Sequence, residues 1–353
     1  MNKFEGGFDP EKEFINPWDK DHQQNTKEGE LGPELAENHK SMEGMISELE
    51  AVSRFEHVKE EDKEIIRSPE SGEFLVRRVD NPNDPMVEKI HQMMVDEFGV
   101  EEADPLYWLK ESIKQGINNY DIVTTPDGEL VSFSNTRYLE IEPTQGEQAR
   151  ESFLYIAYIL TDDRFRGKGI ATEIYKKFYS GTLKQAKQEG HVVKGVLGEA
   201  VETVEPFLNK MGRKRVYFED QAGNIQEVPY KFPPMDYDSK TGEPLDEGGF
   251  EHLMLRLVGD KQEFDSAELL KMVKALYEEE YGASEEDYKN KAAYEKAMGK
   301  IMDVYTELEA VLSQAKDGKV FLMSVEERKK KVKELNREGR ELKELELGEE
   351  DME

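Results

Sequence analysis

The chain has no cysteine. Disulfides, thiolate-bound zinc and a cysteine nucleophile are thereby excluded, and a reducing compartment suits the composition. Positive charge is scarce: 48 lysines and arginines stand against 78 aspartates and glutamates, a formal net charge of −30. So acidic a surface repels phosphate backbones and anionic bilayers and attracts cations. Nucleic acid and membrane are not expected as partners, whereas an amine-bearing acceptor, small molecule or peptide, fits the field. The same acidity also serves solubility. Long apolar runs are missing as well. The longest, Phe153–Leu160, is far too short to cross a bilayer. The opening Met1-Asn2-Lys3-Phe4-Glu5 turns acidic at once, unlike a signal peptide. A soluble, cytoplasmic protein is expected. The six histidines are scattered without ligand spacing, so no metal is expected.

With 353 residues, 37% apolar and 36% charged, the chain holds enough material for one large domain or two ordinary ones. Three regions follow from its pattern. Residues 1–72 form an acidic extension whose first thirty lack the aliphatics needed to fold. Within it, Leu35, Met42, Met45, Ile46, Leu49 and Val52 predict a helix over 33–66, and Ser68-Pro69-Glu70-Ser71-Gly72 predicts a linker. Residues 73–260 alternate strand and helix patterns. Asp84-Pro85 supplies an N-cap and first-turn proline, and Phe153–Leu160 has the composition of a central strand covered on both faces. A helix is expected from Gly169 to Glu189 and a strand over Val192–Leu197. Residues 261–353 read as a helical extension, with helices over Asp265–Tyr281, Ser284–Lys316 and Ser324–Leu345. The last two open with the capping-box pairs Ser284/Asp287 and Ser324/Glu327. The stripe Leu269, Leu270, Val273, Leu276 and Tyr277 is expected to be packing. Val332, Leu335, Leu342 and Leu345 have the spacing of a short coiled coil, a route to self-association or to a protein partner.

Chemistry concentrates where Tyr155-Ile156-Ala157-Tyr158-Ile159-Leu160 runs through Thr161-Asp162-Asp163 into Arg164-Phe165-Arg166-Gly167-Lys168-Gly169-Ile170-Ala171. An apolar strand, a turn with two spaced glycines and a helix start place successive N–H groups around one concavity, with the helix dipole behind them. That is a pyrophosphate cradle. Arg164, Arg166 and Lys168 are expected to add mobile positive charge. The spacing differs from that of dinucleotide folds and P-loops. Arg164-x-x-Gly167-x-Gly169 resembles the signature of the GNAT N-acetyltransferases, and the resemblance covers about residues 73–260. It implies an α/β (α+β) fold with a mixed, mostly antiparallel sheet splayed at its central strands and flanked by helices, here with a C-terminal helical extension. It implies acetyl-CoA as co-substrate, held by Arg164–Ala171, with the backbone of Ile159 and Leu160 pairing to the pantetheine arm and an N–H near Leu160 as oxyanion donor. A bulge would part the central strand from Val192–Leu197.

The implied activity is N-acetyl transfer to a primary amine, and the chain departs from the family at the acid and base. The position of the family's tyrosine is Leu208, that of a common asparagine is Val201, and that of a strand glutamate is Phe153. Tyr155, Tyr158 and Glu199 are the replacement candidates. The strand tyrosines also suit a core rim, and Glu199 also suits a helix cap. The insertion Pro229–Pro234 with Asp236, Asp238, Glu243, Asp246 and Glu247 is expected either to line a cationic acceptor's pocket or to form a solvated acidic loop. Loss of the tyrosine admits an alternative function: a catalytically weak acyl-CoA-binding sensor or scaffold acting through its helical extensions.

Overall fold

A computed structural model describes residues 33–51, 55–60, 63–68, 72–100, 103–141, 151–282 and 285–337. In chain order the elements are α1 (Pro33–Ala51), β1 (Glu56–Glu60), β2 (Lys63–Ser68), β3 (Gly72–Val79), α2 (Pro85–Phe98), α3 (Leu106–Gln115), β4 (Asn119–Thr124) and β5 (Leu130–Ile141). Then come β6 (Glu151–Thr161), α4 (Ile170–Glu189), β7 (Val192–Ala200), α5 (Glu205–Lys210), β8 (Lys214–Asp220), β9 (Ile225–Glu227) and the short β10 (Lys231–Phe232) and β11 (Gly249–Phe250). The chain continues through β12 (His252–Leu257), β13 (Glu263–Asp265), α6 (Ser266–Glu279), α7 (Lys291–Leu312), β14 (Ala315–Met323) and α8 (Val325–Arg337).

One sheet carries the fold, in the order β1-β2-β3-β4-β5-β6-β7-β12-β8-β14-β13, with β9 beside β8. Among the described residues only β6 and β7 pair in parallel; the other neighbours are antiparallel. This is the mixed, mostly antiparallel sheet flanked by helices that was expected. Strand alternation divides the core between two faces. On one, α1 and α4 cover Leu154, Ile156, Val193 and Val196, and Ile170, Ile174 and Phe178 of α4 meet Val76, Val123 and Val131. On the other, α2 and α3 cover Ile122, Phe133 and Leu160, while α6 and α7 cover Phe153, Tyr155 and Leu197.

Local signals hold where they are short-range. Asp84 caps α2 by accepting from the Met86 N–H at 2.9 Å. Gly190 ends α4 at φ 76°. The Ser324/Glu327 capping box forms reciprocally, at 2.7 and 3.2 Å.

Five expectations need correction. The helix expected over 33–66 stops at Ala51, and β1 and β2 form a hairpin paired to β3. Val58, Ile65 and Ile66 are β-branched, which favours strand once an edge is available. Ser68 and Gly72 are register partners between β2 and β3, so they join strands instead of separating domains; Pro69–Ser71 and Val52 lie outside the described residues. Beyond residue 260 the chain is not purely helical, because β13 and β14 extend the sheet from the free edge of β8. Nor is it a separate unit: Leu269, Met272, Val273 and Leu276 are fully buried in one cluster with Phe153 and Leu197. At about 1.5–3 kcal/mol per buried apolar side chain, that docking rivals the net stability of a domain. Finally, α7 starts at Lys291 behind an Asn290 cap instead of at Ser284, which lies outside the described residues. Val332 packs on Tyr217, Ile225 and Met323, so it is not a free coiled-coil position; the last sixteen residues, with Leu342 and Leu345, lie outside the described residues.

Candidate active site

β6 and β7 stay together only to the pair Tyr155↔Leu197. Beyond it β5 holds β6 as far as Thr161 and β12 holds β7 as far as Ala200, so a gap opens between the two. Ala157 is an extra residue in β6: Asn135 pairs with Tyr158, but Thr136 pairs with Ile156. Such a bulge bends its strand, and it brings Tyr155 and Tyr158, three positions apart, onto one face. The Asp162 N–H donates to the Val131 carbonyl at 2.9 Å. Antiparallel alternation then aims the backbone of Leu160 at β5 and that of Ile159 and Thr161 at the gap. The Thr161 carbonyl accepts from Arg166 Nε at 2.9 Å. Ile159 therefore carries the free backbone edge, and Leu160, expected to share it, turns the other way.

The glycine turn follows. Asp163–Phe165 make a single 3-10 turn capped by Asp162. Gly167 and Gly169 sit at φ 77° and 82°, conformations costly for any residue with a Cβ. The space over both is open, so backbone conformation and not crowding demands glycine here. Among the described residues no backbone carbonyl accepts from the N–H groups of Gly167, Lys168 or Gly169. The first turn of α4 adds its own unpaired N–H groups and the dipole. Ile170 contributes only backbone, since its side chain is buried under the sheet.

The flanking cations are less mobile than expected. Arg164 is held by Asp162 at 2.7 Å and Glu129 at 2.6 Å, and these partners raise its pKa further. Arg166 is held by Glu97 at 2.6 Å and Asp163 at 2.9 Å. Lys168 is exposed, its ammonium 4.9 Å from the Phe165 ring centre.

On the face covered by α2, α3 and α6, a row of polar side chains lies among the apolar ones. Glu199 Oε2 accepts from Tyr155 at 2.6 Å, and Oε1 accepts from Tyr281 at 2.6 Å and from Tyr230. Burial drives the Glu199 pKa up, and the three hydroxyls oppose it. Burial together with the Glu199 charge drives Tyr155, Tyr230 and Tyr281 well above the usual phenol value. Each carboxylate oxygen has about two acceptor directions, so Oε2 keeps one for a donor from outside. Further along, the Tyr158 hydroxyl lies 3.5 Å from Asp104, and Asp104 is pushed up to about 7 by burial and by the Glu280 charge. Arg137 binds Glu280 at 2.7 Å and Glu279 at 3.4 Å.

Arg213 closes the α4 side. It is 1% exposed, its Nε and Nη2 have no partner among the described residues, and it lies 5.5 Å from the Tyr175 ring centre. A Cβ on Gly198 would stand 2.5 Å from its Nη1 and 3.2 Å from the Ile156 carbonyl. The guanidinium thus reaches the apex of the gap because Gly198 leaves room.

No family model and no curated protein sequence matches the chain. Solved structures do. Arabidopsis thaliana NAA60 in complex with acetyl-CoA is similar at 14% identity and a TM-score of 0.37, over 52% of this chain and 98% of that one. An aminoglycoside acetyltransferase, meta-AAC0020 from an uncultured soil metagenomic sample, in complex with sisomicin, is similar at 16% identity and a TM-score of 0.30, over 39% of this chain and 85% of that one.

The structure thus brings Tyr155 and Glu199 into direct contact and places Tyr158 on the same face. Leu208 packs on Ala200 and Met254, Phe153 is core, and Val201 is half exposed. Two acids of the insertion serve its own turns, Asp246 accepting from the Met235 and Asp236 N–H groups and Asp238 from those of Lys240 and Thr241, while Glu243 pairs with Lys296 of α7. From that insertion, Tyr230 is the residue bonded to Glu199. Sequence reasoning missed Asp104, Arg137, Arg213, Glu280 and Tyr281, whose neighbours are distant in the chain. Among the described residues no three His, Cys, Asp or Glu side chains are placed to hold a metal, and no helix is long and apolar enough to cross a membrane.

Proposed function

We propose that the chain is a GNAT-type N-acetyltransferase that moves acetyl from acetyl-CoA to a primary amine. The observation that carries this is the gap beyond Tyr155↔Leu197, with an unpaired N–H turn at one end and a tyrosine-clasped carboxylate at the other. The orphan N–H groups of Gly167–Gly169 and the open space above them fit a pyrophosphate. The free backbone edge at Ile159 fits the amide-bearing arm and offers an N–H to the thioester oxygen as negative charge develops there.

The amine must lose a proton before it attacks. In this reading Glu199 Oε2 takes that proton, and burial, which raises its pKa above the ordinary carboxylate value, strengthens it as a base. Tyr155, Tyr230 and Tyr281 are positioning residues that hold the carboxylate against the gap. The amine nitrogen forms the new N–C bond, the C–S bond breaks, and the sulfur leaves as a thiolate. Tyr158, whose hydroxyl is only loosely held at 3.5 Å, is the hydroxyl free to give that thiolate a proton.

Calorimetric titration of acetyl-CoA, with the Gly167→Asp/Gly169→Asp variant as control, tests the donor site. Micromolar binding lost in the variant, followed by free thiol released with an amine panel, is expected. Leu208 in place of the family's tyrosine supports the second reading, an acyl-CoA-binding sensor or scaffold; binding without turnover of any amine would select it. Absence of binding removes both.

A further inference from the structure

Four carboxylates gather around Arg137 of β5 and Tyr155 and Tyr158 of β6: Glu199, Asp104, Glu279 and Glu280. Among the described residues the one guanidinium paired with any of them is Arg137, which engages Glu279 and Glu280. Asp104 and Glu199 have hydroxyl partners only. Two half-buried carboxylates without a cation are costly in a folded protein, and the cost invites a cationic ligand at each.

An independent observation points to a ligand beside Asp104. Asn135 is 1% exposed, and its Nδ2 donates to the Tyr120 hydroxyl at 3.3 Å, but its Oδ1 has no partner. On the sheet it is the direct neighbour of Tyr120 on one side and Tyr158 on the other. Tyr158 in turn reaches Asp104. A buried carbonyl oxygen without a donor among the described residues, beside a carboxylate paired only with a hydroxyl, fits an N–H of a bound cation.

We infer that the acceptor is a diamine read at two points: the reacting nitrogen at Glu199 Oε2, and a second, unreacting ammonium at Asp104 and Asn135 Oδ1. This rests on the acetyltransferase reading and adds to it the substrate class. Glu280, held by Arg137 at 2.7 Å, adds negative charge that both Asp104 and Glu199 feel. Glu280 and Tyr281 come from the end of α6. The C-terminal region is therefore part of the acceptor site, and truncation before residue 265 would leave the site without its second wall.

The test compares kcat/KM for unbranched α,ω-diamines with that for monoamines of matched length, in the parent, Asp104→Asn and Glu280→Gln. A charge-assisted hydrogen bond to a buried carboxylate corresponds to a preference on the order of 10- to 100-fold. The parent is expected to show that preference for one diamine length, carried mainly by KM. Both variants are expected to bring the ratio down toward one, with acetyl-CoA affinity by calorimetry as the control for an intact fold. Equal kcat/KM for diamine and monoamine in the parent, or a preference that survives Asp104→Asn, overturns the inference while leaving the acetyltransferase reading in place. Loss of acetyl-CoA binding in the parent would instead refute that underlying reading and the inference with it.

Discussion

Asp104 offers a quantitative check on the site that needs no substrate. It precedes Pro105 at the start of α3 and faces the Tyr158 hydroxyl from β6, Tyr120 from β4, and Glu280, itself bound by Arg137, from the end of α6. Burial, then the Glu280 charge, raise its pKa from 3.8 to about 7. Between about pH 4 and about pH 7 the folded protein keeps a proton that the unfolded chain has released. Stability attributable to this group therefore falls as pH rises through that window and is flat above it. The separation is roughly 3 on the pH scale, and at about 1.4 kcal/mol each the loss is capped near ~4 kcal/mol. Water and side-chain relaxation at a half-buried site reduce the expectation to about 1–2 kcal/mol. Asparagine cannot ionise, so Asp104→Asn should be more stable than the parent by that amount at about pH 8 and nearly equal to it at about pH 4. Urea unfolding followed by the fluorescence of Trp108, on α3, reports the difference. Glu279, also raised to about 7, contributes a slope of the same sign that persists in both proteins and cancels in the comparison, whereas Glu280 shares a charge interaction with Asp104, so part of its slope counts with that of Asp104. A variant that is less stable at about pH 8, or whose pH slope equals the parent's, would refute a strained Asp104 carboxylate.

Glu199→Gln should lower kcat by about 100-fold or more at neutral pH, with acetyl-CoA affinity retained, if the carboxylate is the base. Tyr155→Phe should instead move the acidic limb of the pH–rate profile upward, because one hydroxyl that stabilises the ionised Glu199 is gone; an unmoved limb argues for a purely structural tyrosine. Gly198→Ala should cost about 1–3 kcal/mol by overpacking against Arg213 and the Ile156 carbonyl, and should weaken acetyl-CoA binding as the gap narrows. Thermal unfolding and calorimetry report the two effects separately. Ser324→Ala should cost about 1 kcal/mol through loss of the α8 cap, measured by chemical denaturation, with no change in acetyl-CoA affinity.

Much of the frame was legible because its signals act over a few residues. Asp84 before Pro85, Gly190 after α4, and Ser324 three before Glu327 each satisfy a helix end locally. The run Phe153–Leu160 can be stable only as a strand with both faces covered. Gly167 and Gly169 mark positive φ in a turn that must feed a helix at once. The strands β1, β2 and β14 were illegible for the complementary reason. Their residues tolerate helix or coil, and the free edges of β3 and β8 select strand by offering hydrogen bonds that no spacing announces.

The site divides the same way. The glycine turn, the strand tyrosines and Glu199 were nominated by their place beside one strand. The clasp on Glu199 required Tyr230 and Tyr281, 31 and 82 positions away, and Asp104 meets Tyr158 across 54 positions. The sequence by itself determined the strand–turn–helix cradle, since backbone conformation there depends on neighbouring residues. Only the tertiary structure decided which carboxylates are desolvated, which keep a free acceptor and which are already paired. Burial and charge belong to the packed assembly, and no single segment carries them.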